Sequence, residues 1–396
     1  MKANTRLVSL STFRHPGAPR MTPGRARWLA AGMIAAGTML LSPTGALSQV
    51  GNPAAAAGVS LETYRFSADE TVGLKSIRLT TLPFSAGADL LPSVRLQVRG
   101  AFASGQIDRP NGSTARLSGL TDTEVQIEAR MGPDRFRVAG VFLLPTGHNR
   151  YTTAEADVAG IVASDVLPFR ITNWGSGGGF GLHSSLAGTL GDVGLGASTS
   201  YLVGREFEVF AGEDAVFRPG SQLTVALAAD RNIGRAGKAA LQLRMTHYGE
   251  DALAGSNLYR SGLRYEALGS YAFAAPRNAS AIAYAGVTHR TQGTFLAVPD
   301  SVASQNLLLA GAVMRMPFDW GVLVPGLELQ ALRRSDGTGQ GYTASVGGSA
   351  ERAVGGVVLV PTARARFGRV VVFEGARSGF TGFELGLATR FGRFGS

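Results

Sequence analysis

The sequence predicts an all-β chain: a transmembrane antiparallel β-barrel of about 16 strands, with 14 as the alternative, carrying one short helix in a long loop. Three observations point there. Apolar residues recur at every second position in segment after segment. The connections between those segments alternate between tight turns and long loops, as they do in barrels that cross a membrane. The chain also opens on a stretch laid out like an export signal.

That opening stretch comes first. Arg25 and Arg27 form a basic region, Trp28–Leu41 an apolar one, and Ser42–Ser48 supplies the small residues a signal peptidase needs. The apolar run is too short to span a bilayer as a helix. Cleavage is expected after Ser48, so residues 1–48 read as a signal peptide, and Met21 as a start would give it ordinary length. Those residues hold Lys2, Arg6, Arg14, Arg20, Arg25 and Arg27 and no acid, so the formal charge of +10 falls to +4 in the mature chain. The basic balance is therefore no argument for a nucleic-acid partner. Only 17% of residues are charged and 54 are glycine, a composition that suits tightly curved strands better than a soluble surface. No cysteine is present, which excludes a disulfide framework and a thiolate metal site.

Residues 49–58 are small and read as a flexible leader; 59–396 read as the barrel. Strands are expected near 59–66, 72–82, 93–103, 120–130, 135–144, 177–188, 192–203 and 221–231. Eight more follow near 237–248, 260–273, 279–290, 306–316, 321–333, 342–350, 356–368 and 380–391. Long connections at 145–176, 204–220, 249–259, 291–305, 334–341 and 369–379 alternate with tight turns such as Pro276-Arg277-Asn278. The connection 83–92 breaks that rule, being long where a turn is due. Both termini fall on the short-turn side, which requires an even strand number.

Along each strand one face is apolar and the other polar. Val94, Leu96 and Val98 oppose Arg95, Gln97 and Arg99; Val125 and Ile127 oppose Glu124, Gln126, Glu128 and Arg130. With Arg135, Arg137, Arg244, Arg264, Glu266, Glu328, Arg364 and Arg366, these polar residues are the candidates for lining a wet lumen with an excess of arginine. A lipid-facing arginine would cost ~2–4 kcal/mol at mid-membrane. Tyr201, Tyr248, Tyr265, Phe273, Tyr284, Phe318, Trp320, Tyr342, Phe367 and Phe391 lie near strand ends, where interfacial girdles are expected.

The last strand places Phe383, Leu385, Leu387 and Phe391 on one face. It resembles the terminal strand of bacterial outer-membrane barrels, departing at Thr389 and in the tail 392–396. The resemblance implies residence in the cell outer membrane, with lipid and the barrel-assembly machinery as partners. A second resemblance covers 119–147. Gly119-Leu120-Thr121-Asp122 opens a hairpin that ends in Leu144-Pro145-Thr146-Gly147, and this is similar to outer-membrane barrels of the MetA pathway of phenol degradation, with Thr121 in place of a glycine. Fatty-acid and hydrocarbon uptake channels are a more distant likeness. It implies uptake of small hydrophobic or aromatic compounds. Read locally, Pro145-Thr146-Gly147 ends a strand at a turn.

Tyr151–Phe169 is the helix candidate, with Thr152 or Thr153 as cap and Glu155 and Asp157 in its first turn. In the longest loop it reads equally as a lumenal constriction or as a lid on the loop crown. Gly175–Gly181 lacks the Lys-Ser/Thr of a phosphate loop, and Asp336–Gly339 reads as a turn rather than a calcium loop. His148, His183, His247 and His289 stand apart, without zinc spacing. His183 and Ser185 share a face but sit roughly 7 Å apart, too far for a nucleophile and its base. No catalytic residue, metal ligand or cofactor is expected. The function expected is passive permeation of small solutes. The alternatives are a non-transporting structural or adhesive barrel and a membrane-embedded hydrolase.

Overall fold

Backbone pairing bends the chain into a closed cylinder. The computed structural model describes residues 51–392 apart from 133–134, 166, 213–214, 235–236, 297–299 and 374–375. The expected export signal, 1–48, lies outside the described residues. Strands β1 (Gly51–Phe66), β2 (Ser76–Leu91) and β3 (Val94–Asp108) open the meander. β4 (Thr114–Leu120) and β5 (Thr123–Met131) share one position, because β4 pairs with one half of β3 and β5 with the other. β6 (Phe136–Leu144), β7 (Gly179–Leu190), β8 (Val193–Gly204), β9 (Gln222–Ile233) and β10 (Gly237–Tyr248) follow. β11 (Arg264–Ala275), β12 (Ala279–Arg290), β13 (Gln305–Phe318) and β14 (Gly321–Arg334) continue it. β15 (Gln340–Val354), β16 (Val357–Phe373) and β17 (Ala376–Phe391) complete it. β17 pairs with β1 from Ala55↔Phe391 to Phe66↔Phe380, so no edge is left open. The result is a closed 16-strand antiparallel barrel.

The short turns and both ends of the barrel lie at one end, the long loops at the other. At the turn Gly355-Gly356 both residues have positive φ (56° and 85°), the geometry of the tight type I′ hairpin, which glycine adopts without strain. A strand of 12 residues such as β7 is ~40 Å long, and at a tilt of ~40° it rises ~30 Å, the thickness of a bilayer core.

The apolar faces point outward. Leu182, Leu190, Leu227, Leu327, Val346, Phe383 and Leu385 are all exposed, and none has a protein partner layer that would cover it. A soluble sandwich would bury these residues. Here they form a belt that only lipid can cover, and backbone closure satisfies every strand within it. Of the expected girdle aromatics, Tyr201, Tyr265, Phe273, Phe318, Trp320, Tyr342, Phe367 and Phe391 are exposed on this outer face. Tyr248 and Tyr284 are not among them. They fall at inward positions, and the Tyr284 hydroxyl donates to Glu328 at 2.8 Å.

Several boundaries differ from expectation. The leader expected at 49–58 is strand from Gly51 onward, since Ala55–Ala57 pair with β2 on one side and β17 on the other. Residues 83–92 are not a long connection: β2 runs to Leu91, and β3 begins at Val94 after a tight turn. Likewise β16 and β17 extend through most of 369–379. In each case small residues blurred the apolar alternation while the backbone could still pair on both sides. A short helix α1 (Asp69–Val72) precedes β2, so the described residues hold two helices rather than one.

The loop end holds a second sheet. Phe207–Glu208, Val216–Arg218, Glu250–Leu253, Ser256–Arg260, Gly293–Phe295 and Ser301–Val302 pair in sequence across three loops. The 145–178 loop joins this crown through Tyr151, whose N–H donates to Val209 O at 2.7 Å. Burial holds the Tyr151 phenol above its ordinary range, against the opposing effect of the Gly175 N–H.

Candidate functional site

The longest loop enters the barrel. Its helix α2 (Thr153–Val162) is shorter than the expected 151–169 and starts at a capping box: Thr152 Oγ1 accepts from Glu155 N–H, and Glu155 Oε2 accepts from Thr152 N–H at 2.9 Å. Val158 and Val162 are buried against Ala103, Ile107, Ala115 and Leu117, all at inward positions of β3 and β4. Trp174, downstream of the helix, is fully buried and donates Nε1–H to Ala103 O at 3.0 Å. Gly105 makes this docking possible. A Cβ there would stand 2.9 Å from Val158 Cγ1 and 3.1 Å from the Trp174 ring.

Both ends of the loop are held at one point, the break between β4 and β5. Asp122 Oδ1 accepts from Gly147 N–H at 3.1 Å, where the loop leaves β6. Asp122 Oδ2 accepts from Ser176 N–H at 2.7 Å and Ser176 Oγ–H at 2.6 Å, where the loop returns to β7. Thr146 Oγ1 accepts from Thr123 N–H at 2.9 Å and donates to Thr121 O at 3.1 Å. A Cβ on Gly147 would collide with Asp122 Oδ1 at 2.6 Å. Thr146 and Gly147, at what reads locally as a plain strand end, thus form part of a clamp.

A charged cluster fastens the loop's descending limb to the wall. Arg366 donates to Glu62 Oε1 at 2.9 Å, to the Tyr64 hydroxyl at 2.7 Å and to Glu384 Oε2 at 2.5 Å. Arg170, from the loop, donates Nε–H to Glu384 Oε1 at 2.9 Å, and its main-chain N–H donates to Glu62 Oε2 at 3.1 Å. Arg170 Nη2 also reaches Glu384. Glu62, Glu384 and Arg366 are 0%, 2% and 4% exposed. Such charges are tolerated only when paired and hydrogen-bonded. Phe169 packs edge-on against Tyr64, with ring centroids 5.1 Å apart. Beneath this limb lies a cavity of about 700 Å³ bordered by Arg99, Asp122, Glu124, Arg170, Thr172 and Asn173.

The predicted polar residues divide by wall. Arg95 is buried and paired with Asp89 at 3.0 Å. Gln97 lies opposite Gln126, and Arg137 opposite Arg130, which pairs with Glu128 at 3.0 Å. Arg99 pairs with Glu124 at 2.7 Å, Arg264 with Glu266 at 2.6 Å, and Arg244 with Glu266 at 3.3 Å. Arg364 lies 4.0 Å from Glu384. Arg135 is the exception: it precedes β6 in the exposed turn at the short-turn end, and its carbonyl accepts from Ala187 N–H at 2.7 Å. The strand begins one residue later than expected, which leaves Arg135 in the turn beside the rim. On the wall away from the loop, inward side chains keep their solvent: Arg244 is 46% and Arg315 52% exposed, as is Arg99 (64%) beside the cavity. Of the residues that fasten the loop, Glu62, Tyr64, Arg170 and Trp174 belong to no sequence motif, and Asp122 appears only within the Gly119–Asp122 strand start. Glu62 sits between apolar Leu61 and Thr63 at an inward register, the one signal available in the chain.

No family model matches the chain, and no curated protein matches it. Solved structures do. Pseudomonas putida OprB at high pH is 10% identical, with 86% of this chain and 94% of that one covered, at a TM-score of 0.47. The CymD monoaromatic hydrocarbon channel is 10% identical, with 90% and 92% covered, at 0.41. The COG4313 outer membrane channel from Pseudomonas putida F1 is 12% identical, with 87% and 96% covered, at 0.35.

Proposed function

We propose that this chain is an outer-membrane channel for passive permeation of small solutes through an off-centre lumen narrowed by the 145–178 loop. One observation supports this above the rest. Inward charged side chains are sealed where the loop packs and half-exposed where it does not. A filled structural barrel would bury both sets. The open side carries Lys238, Arg244, Arg264, Arg315 and Arg390 against Asp230, Glu266 and Glu351, and the Arg99–Glu124 pair borders the cavity beneath the loop. An excess of cations along a wet path favours anions.

Solute class is a finer reading. Leu268, Ile282, Leu307 and Leu309 share the inward face of β11–β13 beside the Arg244–Glu266 pair. Such a strip suits solutes with an apolar or aromatic body and a charged end. It agrees with the uptake of small aromatic compounds implied by the resemblance at 119–147. The outward face of β17, closing on β1, is the surface we assign to the assembly machinery and to lipid.

Planar-bilayer recording of refolded protein tests the proposal. Stepwise conductance is expected, with a reversal potential displaced toward chloride in a KCl gradient. A folded, heat-modifiable barrel without conductance would leave the structural or adhesive reading in its place.

A further inference from the structure

We infer that the outer wall running from β14 through β17 and β1 to β4 is a docking surface for a phosphate-bearing lipid headgroup. This goes beyond the channel reading but rests on the same membrane placement.

The wall has a repeated pattern. On five of six strand segments the outward positions pass from apolar to small or hydroxyl residues and then to arginine, and on β16 the arginine follows the apolar residue directly. β1 reads Leu61, Thr63, Arg65; β2 reads Leu82, Thr80, Arg78; β4 reads Leu120, Ser118, Arg116. β14 reads Leu329, Ala331, Arg333; β16 reads Phe367, Arg369; β17 reads Phe383, Thr381, Gly379, Arg377. Register confirms that these are neighbours. Gln106 lies opposite both Arg78 and Arg116, Thr63 opposite Arg78, Gly379 opposite Arg369, and Arg377 opposite Val371. With strands ~4.8 Å apart, Arg78 and Arg116 stand ~10 Å from each other.

These six arginines are exposed, and none of their side chains has an ion pair or hydrogen bond among the described residues. Elsewhere among the described residues most inward and crown arginines are paired, with Arg137 and Arg290 among the exceptions. Inward arginines such as Arg99, Arg244 and Arg366 are paired. In the crown, Arg150 pairs with Glu208, and Arg260 with Glu250 at 3.7 Å. Acids near the arginine row are few. Asp108 shares the face: its carboxylate accepts from Ser76 Oγ–H and Gln106 Nε2–H, both at 2.6 Å, and its charge attracts Arg78 and Arg116 without an ion-pair contact to either. Asp69 and Glu70 lie in the connection above β1 and β2.

Height above the belt identifies the occupant. Each guanidinium lies one to three outward positions from the apolar side chain of its segment, at the level of lipid phosphate rather than in open water, and on β16 Val371 follows Arg369 on the same face. The loops on this side are short, so the wall is not covered: β1–β2, β3–β4 and β14–β15 are joined by 67–75, 109–113 and 335–339. Arginine's planar fork fits phosphate oxygens two at a time. An anionic lipid can place its acyl chains on Phe367, Phe383 and Leu61 while its phosphates meet the arginine row.

The test uses the full barrel, folded in a zwitterionic detergent and checked by heat-modifiability. Native mass spectrometry would count bound copies of a diphosphorylated disaccharide lipid and of the same lipid without phosphates. Retention of the phosphorylated form only is expected. R65A/R78A/R116A should weaken it by at least about tenfold, while R218A/R260A in the crown should not. If the triple variant fails to fold, R369A/R377A serves in its place. Equal binding of both lipids, or unchanged binding by the folded wall variants, overturns the proposal. So does displacement by millimolar inorganic phosphate, which would mean that the chains contribute nothing. A barrel that conducts but binds no lipid refutes this inference and leaves the channel intact.

Discussion

Arg366 reaches Glu62, Tyr64 and Glu384 from a site with almost no solvent access. Arg366→Ala leaves the two carboxylates buried, with Arg170 and the more distant Arg364 to answer them. Breaking such a cluster costs ~3–5 kcal/mol, so the variant barrel should lose heat resistance in a gel-shift melt. Arg170 meets the same Glu384 from the loop side and is 41% exposed. Arg170→Ala should therefore cost no more than about 1 kcal/mol. Its effect should fall on the pore: with the limb unfastened, single-channel conductance should rise. Equal conductance in wild type and Arg170→Ala would mean that the limb does not narrow the path.

The α2 helix and the crown are the parts that adjust the lumen. Gly105→Leu places a side chain where Val158 and Trp174 sit. Overpacking of this kind costs ~1–3 kcal/mol, and here it should push the helix off the wall, seen as faster proteolysis within 145–178 and an unchanged barrel. In the crown, Asp251 Oδ1 accepts from Gly220 N–H at 2.6 Å, and burial raises its carboxyl above the ordinary range. The folded value exceeds the unfolded one. The stability linked to the protonated form is thus complete at low pH and is lost as pH rises through the folded value. Asp251→Asn keeps the acceptor and removes the ionisation. It should slow amide exchange in 249–260 at neutral pH and match wild type below about pH 4, flattening the pH dependence.

For the whole barrel, orientation is the property to challenge. Leu96 faces lipid and Arg99 faces the lumen three residues away on the same strand. Leu96→Arg should impair assembly, since a lipid-side guanidinium costs ~2–4 kcal/mol at the midplane. Arg99→Glu should assemble and move ion selectivity toward cations, because it reverses a wet charge beside Glu124. Equal tolerance at both positions would contradict the inside-out arrangement.

Much of this was legible along the chain because alternation is local. A strand with one apolar face announces itself within a few residues, and the alternation of turns and loops sets strand number and direction; spacing alone puts Leu96 and Arg99 on opposite faces. Where small residues dominate, as at Gly51–Gly58 and Pro83–Leu91, the pattern vanishes, and only pairing on both sides reveals the strand. The clamp and the charged cluster were beyond reach for a different reason. Asp122 meets residues 25 and 54 positions away, and Arg366 meets Glu62 across 304. Closure of the barrel brings β1 beside β17 and the loop between them. No period in the sequence encodes that meeting, so where the loop would pack, and which side of the lumen it would leave open, belonged to the folded cylinder alone.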